Sequence, residues 1–559
     1  MRAFSALALL LGAGATVAVG CGNDKDAGPS FVPGTTTGGQ GGHGGSGKGG
    51  ARADAGAAAD AGDGSRPSDG GMGSENGGSP SAGHAGERAA TAGIPNSGDI
   101  GANAGAPGDG GPPDPGDETG RIYIGPGGYA AAPGTRDEPF ATLAQAVAVA
   151  TSGNTIVYLD GNYTEPALDE PLVLPDGVDI VADHARGALI TADGGALLAP
   201  AGTSHIEGLR LSGFANLLDA KEPGTVTLTR CTFSDCEAGS SRAIEVSGDA
   251  VVELAGGDSS HDWGDCAAFA HVEGQGSLAL DQGTLHFTSS DGAPVFSVTG
   301  DGTLALSNLR MTDGNRLILQ LEDTSTTTVV QSTLSTAFAN VVNLTDQASL
   351  DLTSTELSLD AAAASSGACI ESTGTGSLAL SHLLAHDCSA AVHGLAPATV
   401  TLTDVELYSM SESGLDFTNA SPSTITIGAS SFHDLTERAA RFGAGSGVFH
   451  VTLRGSSIAN VPRGFELDGG TGSSWDFGTL ASPGSNTLTA SMTALVVSLG
   501  GGATVSAVGN TWTPDVQGAG PAGEYAASGA GAVLEVTSGS GQNYDDASGA
   551  TLRLAENPP

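Results

Sequence analysis

Basic side chains are scarce in this sequence: 20 Lys and Arg stand against 62 Asp and Glu, for a formal net charge of −42. Only Lys25, Lys48 and Lys221 are lysines. A chain this acidic repels phosphate backbones, which excludes nucleic acid as a partner. Electrostatic attachment to an anionic membrane surface is disfavoured for the same reason. Aromatics make up 4% of the chain, too few for a globular enzyme built round a large aromatic core. Long apolar runs are missing except at residues 6–19. No C-x-x-C, G-x-S-x-G or phosphate-loop pattern occurs in its required context. Among the 12 histidines, His382, His386 and His393 share one repeat unit, but no spacing matches a zinc site. They read as surface histidines, and neither a metal nor a cofactor is expected.

What is abundant is glycine, 88 of 559 residues, and it falls into two regimes. Residues 1–20 have the layout of a secretory signal: Met1-Arg2, then a short apolar run ending in small residues. Ala18-Val19-Gly20-Cys21 resembles a bacterial lipobox. That resemblance makes Cys21 the lipidated first residue of the mature chain, with the multiple acyl chains that stable anchoring needs. Gly22 rather than Asp follows it, which by the same analogy points to the outer membrane or cell surface of a Gram-negative bacterium. Residues 21–120 are Gly/Ala/Ser/Asp-rich, with Phe31 the one aromatic and no apolar periodicity. Such a segment buries too little surface to offset its ordering entropy, and reads as a disordered tether with a reach of roughly 50–60 Å. It holds 13 acidic and 5 basic residues, so most of the negative charge belongs to residues 121–559.

The remainder repeats. A four-residue alternating strand recurs as Thr225-Val-Thr-Leu228, Val251-Val-Glu-Leu254, Ser277-Leu-Ala-Leu280 and Thr303-Leu-Ala-Leu306. It continues as Thr326-Thr-Thr-Val329, Ser349-Leu-Asp-Leu352, Ser377-Leu-Ala-Leu380, Thr399-Val-Thr-Leu402, Thr424-Ile-Thr-Ile427 and His450-Val-Thr-Leu453. The period is about 25 residues, and a second apolar position comes five residues after each strand, as at Phe233, Leu285, Met311 and Phe432. Alternation buries one face of each strand, and a unit this short acquires a core only by stacking on its neighbours. The expected fold is all-β: a right-handed parallel β-helix with a narrow core of small, β-branched and Leu side chains. Residues 121–164 are read as its N-terminal cap, 165–512 as the β-helix, and 513–559 as a C-terminal cap or irregular tail. In the cap, Leu143, Ala146, Val147 and Ala150 share one face of a short helix placed over the open end of the stack.

Three linked segments strengthen this reading: Pro133-Gly134-Thr135, then Pro139-Phe140-Ala-Thr-Leu143, then Gly153-Asn154-Thr155 leading to Asp160-Gly161-Asn162-Tyr163. They resemble the opening of bacterial proteins of the pectate-lyase-like superfamily, in particular a domain family of unknown function whose members are often predicted lipoproteins. Asn154 stands where that pattern has Asp, and Asp160 where it has Pro. Ser485-Asn486-Thr487 and Gly509-Asn510-Thr511-Trp512 near the far end also resemble it, so the likeness spans roughly 121–515. It implies the β-helix and no catalytic residue.

Parallel β-helices host polysaccharide lyases and glycoside hydrolases, but a fold does not establish an activity. A lyase needs clustered carboxylates, usually for Ca²⁺, and a basic side chain. A hydrolase needs paired carboxylates across the sugar bond. Asp235, Asp313, Asp387 and Asp434 recur ten residues into their units, with Asp262 one later; they read as turn-forming aspartates. The one basic concentration is Arg438, Arg441, Arg454 and Arg463, accompanied by Asp416, Asp434, Glu437 and Glu466. It reads either as solvated ion pairs or as a dock for an acidic sugar. Of the five cysteines after Cys21, Cys236–Cys266 and Cys369–Cys388 are candidate disulfides of an exported protein, with Cys231–Cys236 as the competing local pair. Five is odd, so one thiol remains.

Two functions stay open. The preferred one is a monomeric, lipid-anchored surface protein whose β-helix binds glycan or another surface component without catalysis. The alternative is an anchored lyase or hydrolase of an acidic polysaccharide, using Asp416, Asp434, Glu437, Arg438, Arg463 and Glu466, with Ca²⁺ in the lyase version only.

Overall fold

A computed structural model describes residues 118–514 apart from short internal stretches, and the strands Val533–Thr537, Tyr544–Asp546 and Thr551–Ala555 beyond them. Cys21, nearly all of the tether, Cys236 and Cys266 lie outside the described residues.

The repeat closes into a parallel β-solenoid of about 12 turns, with a single helix among the described residues. Each coil contributes to three parallel sheets, A, B and C. Sheet A is formed by the alternating motif itself, as in Gly224–Thr229, Ala250–Ala255 and Ser277–His286. Its last apolar residue stacks coil upon coil: Leu228 on Leu254, Leu280, Leu306, Val329, Leu352 and onward to Ile427 and Leu453. Sheet B takes the position five residues later, where Leu285, Met311, Leu334, Leu357, Ala385, Leu407, Phe432 and Ile458 form an unbroken buried column. Sheet C comes next, as in Arg242–Val246, Ala390–Leu395 and Ser413–Thr418. Strands about 4.7–4.9 Å apart keep like residues in contact, so a narrow Leu/Val/Ile core is continuous along the axis.

The A-to-B turn is short and regular except in the coil of Asn486, where residues 477–486 lengthen it and only its last two residues keep the pattern. Its first residue is left-handed, at Arg230, Gln331, Ser354, His382, Asp404 and Ala429, with φ of 50–56°. Its second residue points inward and is buried: Cys231, Leu309, Ser332, Thr355, Leu383, Val405, Ser430, Ser456, Asn486 and Asn510. The oxygens in this column cap amides of the coil below: Ser430 Oγ accepts from the Val405 N–H, Ser456 Oγ from Ser430, Asn486 Oδ1 from Ser456 and Asn510 Oδ1 from Asn486. Cys231 fills the same position. Burial pushes its thiol up to about 11, so it is a packing group and not a nucleophile.

The helix Leu143–Val149 enters the first coils at their open end. Leu143, Ala146 and Ala150 are buried as expected, while Val147 is only half-buried. Gln145 Oε1 accepts from the Ala141 and Thr142 amides. The buried Glu165 accepts from the Leu143 N–H at 2.9 Å and the Tyr158 hydroxyl at 3.1 Å, tying the helix to the coil beneath it. Desolvation raises the Glu165 carboxyl above its usual range.

The boundaries expected at 165 and 512 move outward. Ile122, Ile156, Ile180 and Ile206 already stack in sheet A, so the ladder begins at Arg121. At the other end Val505 pairs with Leu534 and Leu534 with Leu552, so it runs on past 512. The reason is that the cap helix is inserted into a coil and does not precede the stack.

Candidate functional site

Sheet C carries the expected charged cluster on its outer face. Arg438 and Arg463 are register partners on adjacent coils, and so are Asp416, Arg441 and Glu466. Glu466 is the pivot: one oxygen takes Arg438 Nη1 at 3.0 Å and the other Arg463 Nη1 at 2.7 Å. Glu437 takes Arg438 Nη2 at 2.6 Å, and Arg441 lies 4.0 Å from Asp416. Arg438 and Glu466 each keep only 15% of their side chains exposed, so this is a half-enclosed network and not a set of free surface cations. Arg454 belongs elsewhere, on sheet A against Asp476. Asp434 is also separate: it ends a strand of sheet B, left-handed at φ 55°, bonded to His433 and Asn460. A turn lies between Asp434 and Glu437, so three residues of sequence divide two sheets.

The cluster ends a longer feature. The outward position of sheet C reads Asp219, Glu245, His271, Ser297, Gln320, Asn343, Glu371, His393, Asp416, Arg441 and Glu466, register partner upon register partner. Neighbours bond along it, with Asn343 donating to Gln320 at 3.1 Å and His393 meeting Glu371 at 2.8 Å. Apart from His271, which is buried, the row places a polar group on each coil along the axis.

Sheet B holds a second array that the histidine spacings did not reveal. His386, Tyr408 and His433 are register partners on three successive coils. Their rings stack at 4.9 and 5.4 Å. Each histidine is held by two carboxylates. His386 lies 2.8 Å from Asp387 through Nδ1 and 3.0 Å from Glu356 through Nε2. His433 lies 2.8 Å from Asp434 and 2.9 Å from Glu406 in the same way. Both faces of Tyr408 are covered, so it offers solvent an edge and no sugar-stacking face. Burial, and then Asp387, Glu356 and Glu406, raise the Tyr408 hydroxyl, which keeps it a neutral phenol.

Partial burial pulls the His433 imidazole down, but its bonds to Asp434 and Glu406 outweigh this and the net direction is up. Asp434 is lowered, first by His433 and then by Asn460. A raised histidine adds stability below its unfolded value of about 6.5 and loses it as pH rises through the folded value. A lowered aspartate adds stability above about 3.9 and loses it as pH falls further. The pair is therefore complete between those limits. The melting difference between wild type and His433→Gln is expected to be larger at about pH 5.5 than at about pH 8.5. An equal difference at both would show that the clamp does not depend on an imidazolium.

Next to this stack is an open depression of about 410 Å³, lined by His382, Leu384, Asp404, Glu406, Ala429 and Ser431 among others. His382 Nδ1 meets Asp404 Oδ2 at 2.8 Å on its rim. Among the described residues no group of three or more His, Cys, Asp or Glu side chains is arranged to hold a metal ion. Cys369 and Cys388 form a disulfide in the buried wall of the solenoid, their Cα atoms 5.6 Å apart. Trp475 is fully buried and supplies no sugar platform.

With this geometry in view, known proteins offer a limited match. Residues 126–230 match the model of a protein family of unknown function, DUF1565. A search of curated proteins finds no match. Solved structures resemble the solenoid distantly. Pectate lyase Pel9A is 10% identical, with 61% of this chain and 76% of that one covered and a TM-score of 0.29. An alginate lyase from Paenibacillus sp. is 12% identical, with 55% and 93% covered and a TM-score of 0.28. The catalytic unit of a GH87 alpha-1,3-glucanase from Streptomyces thermodiastaticus is 10% identical, with 58% and 61% covered and a TM-score of 0.32. No reaction passes to this chain from likenesses so distant.

The phase arithmetic of the repeat did contain the sheet B array. His386, Tyr408 and His433 each stand nine residues into their coils, and Glu356 and Glu406 seven. The A-to-B turn is constant in these coils, so equal phase means equal height on the stack.

Proposed function

We propose that this chain is an exported lipoprotein, anchored at the cell surface through Cys21, whose β-helix body binds glycan without catalysis. The observation that carries this reading is the state of the arginines on sheet C. Arg438 and Arg463 share Glu466, and Arg438 also holds Glu437. Guanidiniums compensated in this way are poorly placed to take up a substrate carboxylate or to abstract a proton. The polar row on the same sheet suits a linear, hydroxyl-rich polymer, because each coil other than that of His271 presents a hydrogen-bonding group at a fixed rise. A tether long enough to lift the body off the membrane fits a protein that meets extracellular polymer.

The full chain is expected to be retained on immobilised polysaccharide and to release no product from polygalacturonate or alginate, with or without Ca²⁺. Product that disappears in Arg463→Ala would put the anchored-lyase alternative in its place. Cys21→Ser is expected to move the protein from the membrane to the soluble fraction; retention would remove Cys21 as the lipid site.

A further inference from the structure

The depression between sheets A and B interrupts the solenoid's regular surface. Along the left-handed turn row, Gln331, Ser354, His382 and Asp404 each project a polar side chain. At Ala429, still left-handed at φ 52°, the row loses that side chain, and Gly455 continues the gap. Alanine is not a residue that this conformation favours, since Asn, Asp and Gly adopt it at lower cost. What its small size leaves open is the depression above Ser431, spanning coils 377 to 431.

Its lining has a definite chemistry. Asp404 and Glu406 keep 63% and 53% of their side chains exposed. Each is oriented through one oxygen by a histidine, Asp404 by His382 and Glu406 by His433. The second oxygen of each carboxylate makes no hydrogen bond among the described residues. Ser431 adds a hydroxyl, and Leu384 adds apolar surface beside the buried Leu383 and Val405. No Lys or Arg lines the space. Its size lies in the range of small-ligand sites, and two coil steps give it a length of about 10 Å.

We propose that this depression is a binding subsite for a neutral pyranose unit of a glycan. The proposal rests on the glycan reading above and names the sugar class that this second site takes. Vicinal hydroxyls donate to the second oxygens of Asp404 and Glu406, while the C–H face of the ring lies on Leu384. A uronate is rejected, because its carboxylate would meet Asp404 and Glu406 with no Lys or Arg lining the space to offset the repulsion. The arginines that could receive a uronate are on sheet C, held by Glu466.

The test is calorimetric titration of the full chain with malto-, cello- and laminari-oligosaccharides, and with oligogalacturonate and oligomannuronate. Ala429→Gln refills the gap with a residue that the same turn position accepts at Gln282 and Gln331. Asp404→Asn removes the charged acceptor and keeps a side chain suited to positive φ. Gln331→Ala, in the same row away from the depression, is the control. A neutral oligosaccharide that binds wild type and Gln331→Ala alike, and binds each of the other two about tenfold more weakly, supports the proposal. Neutral binding unchanged in Ala429→Gln and Asp404→Asn overturns it and leaves the glycan reading standing. Binding of uronates alone also overturns it, and moves recognition to sheet C. No binding of any glycan sinks the glycan reading itself.

Discussion

Asn486→Ala is expected to lower stability by about 3–4 kcal/mol, the largest single effect in the chain. Asn486 is 1% exposed. Its Oδ1 accepts from the Ser456 amide at 2.9 Å. Its Nδ2 donates to Asn510 Oδ1 at 2.8 Å, to Leu453 O at 3.2 Å and to Phe477 O at 3.3 Å. Alanine leaves the buried Ser456 N–H unpaired, at about 1–3 kcal/mol, and removes one of two donors from each of Leu453 O, Phe477 O and Asn510 Oδ1, at about 0.5–1 kcal/mol apiece. Because coils are coupled to nearest neighbours, the loss should appear first as faster amide exchange in the coils that Asn486 joins, and then as a lower urea midpoint. Asn486→Ser is the informative companion. Serine occupies the same column at Ser332, Ser430 and Ser456, where its hydroxyl caps a single amide. It should recover part of the loss. A destabilisation below about 1 kcal/mol in Asn486→Ala would show that the turn column is not held by its side chains.

Glu466→Ala is expected to cost about 2–3 kcal/mol and to change what sheet C binds. The carboxylate neutralises Arg438, which is 15% exposed, and Arg463, which is 48% exposed. Removing one member of a largely buried pair costs up to about 3–5 kcal/mol. Glu437 remains on Arg438 Nη2, and Arg463 can turn to water, so the value falls below that range. Arg463 and the Nη1 of Arg438 then stand on adjacent coils without the carboxylate they shared. Uronate oligosaccharides should bind Glu466→Ala more tightly than wild type, with a steeper salt dependence. Unchanged uronate affinity in a folded Glu466→Ala chain would mean that this network is structural only. Glu466→Gln retains an acceptor and is expected to fall between the two.

The fold was legible in the sequence because the code for a stacked core is local. Leu228, Leu254, Leu280 and Leu306 recur at one spacing, and stacking is the arrangement that buries them all. The two Asn motifs at Asn486 and Asn510 were visible as a likeness, and the structure supplies their reason: one column of turn side chains capping amides coil by coil. The candidate site was legible only in part. Arg438 and Arg463 stand 14 and 13 residues into their coils, yet they are register partners. The turn from sheet B to sheet C varies in length, and it absorbs the difference. Asp434 was grouped with them by nearness in sequence, and that same turn carries it to another sheet.

What the sequence determined by itself is therefore the low-complexity composition of residues 21–120, the acidic balance of the rest and the β-helix, since each comes from composition or from a period in the chain. What the tertiary structure decided is which side chains meet: the Arg438–Glu466–Arg463 bridge, the His386–Tyr408–His433 stack, and the gap at Ala429. Neighbours on the solenoid surface are one coil apart in space and, in sheet A between residues 225 and 453, 22–28 residues apart in sequence. Side-chain pairing across that distance depends on turn lengths and on the left-handed turn residues that fix each strand's height, and these act only once the coils are stacked.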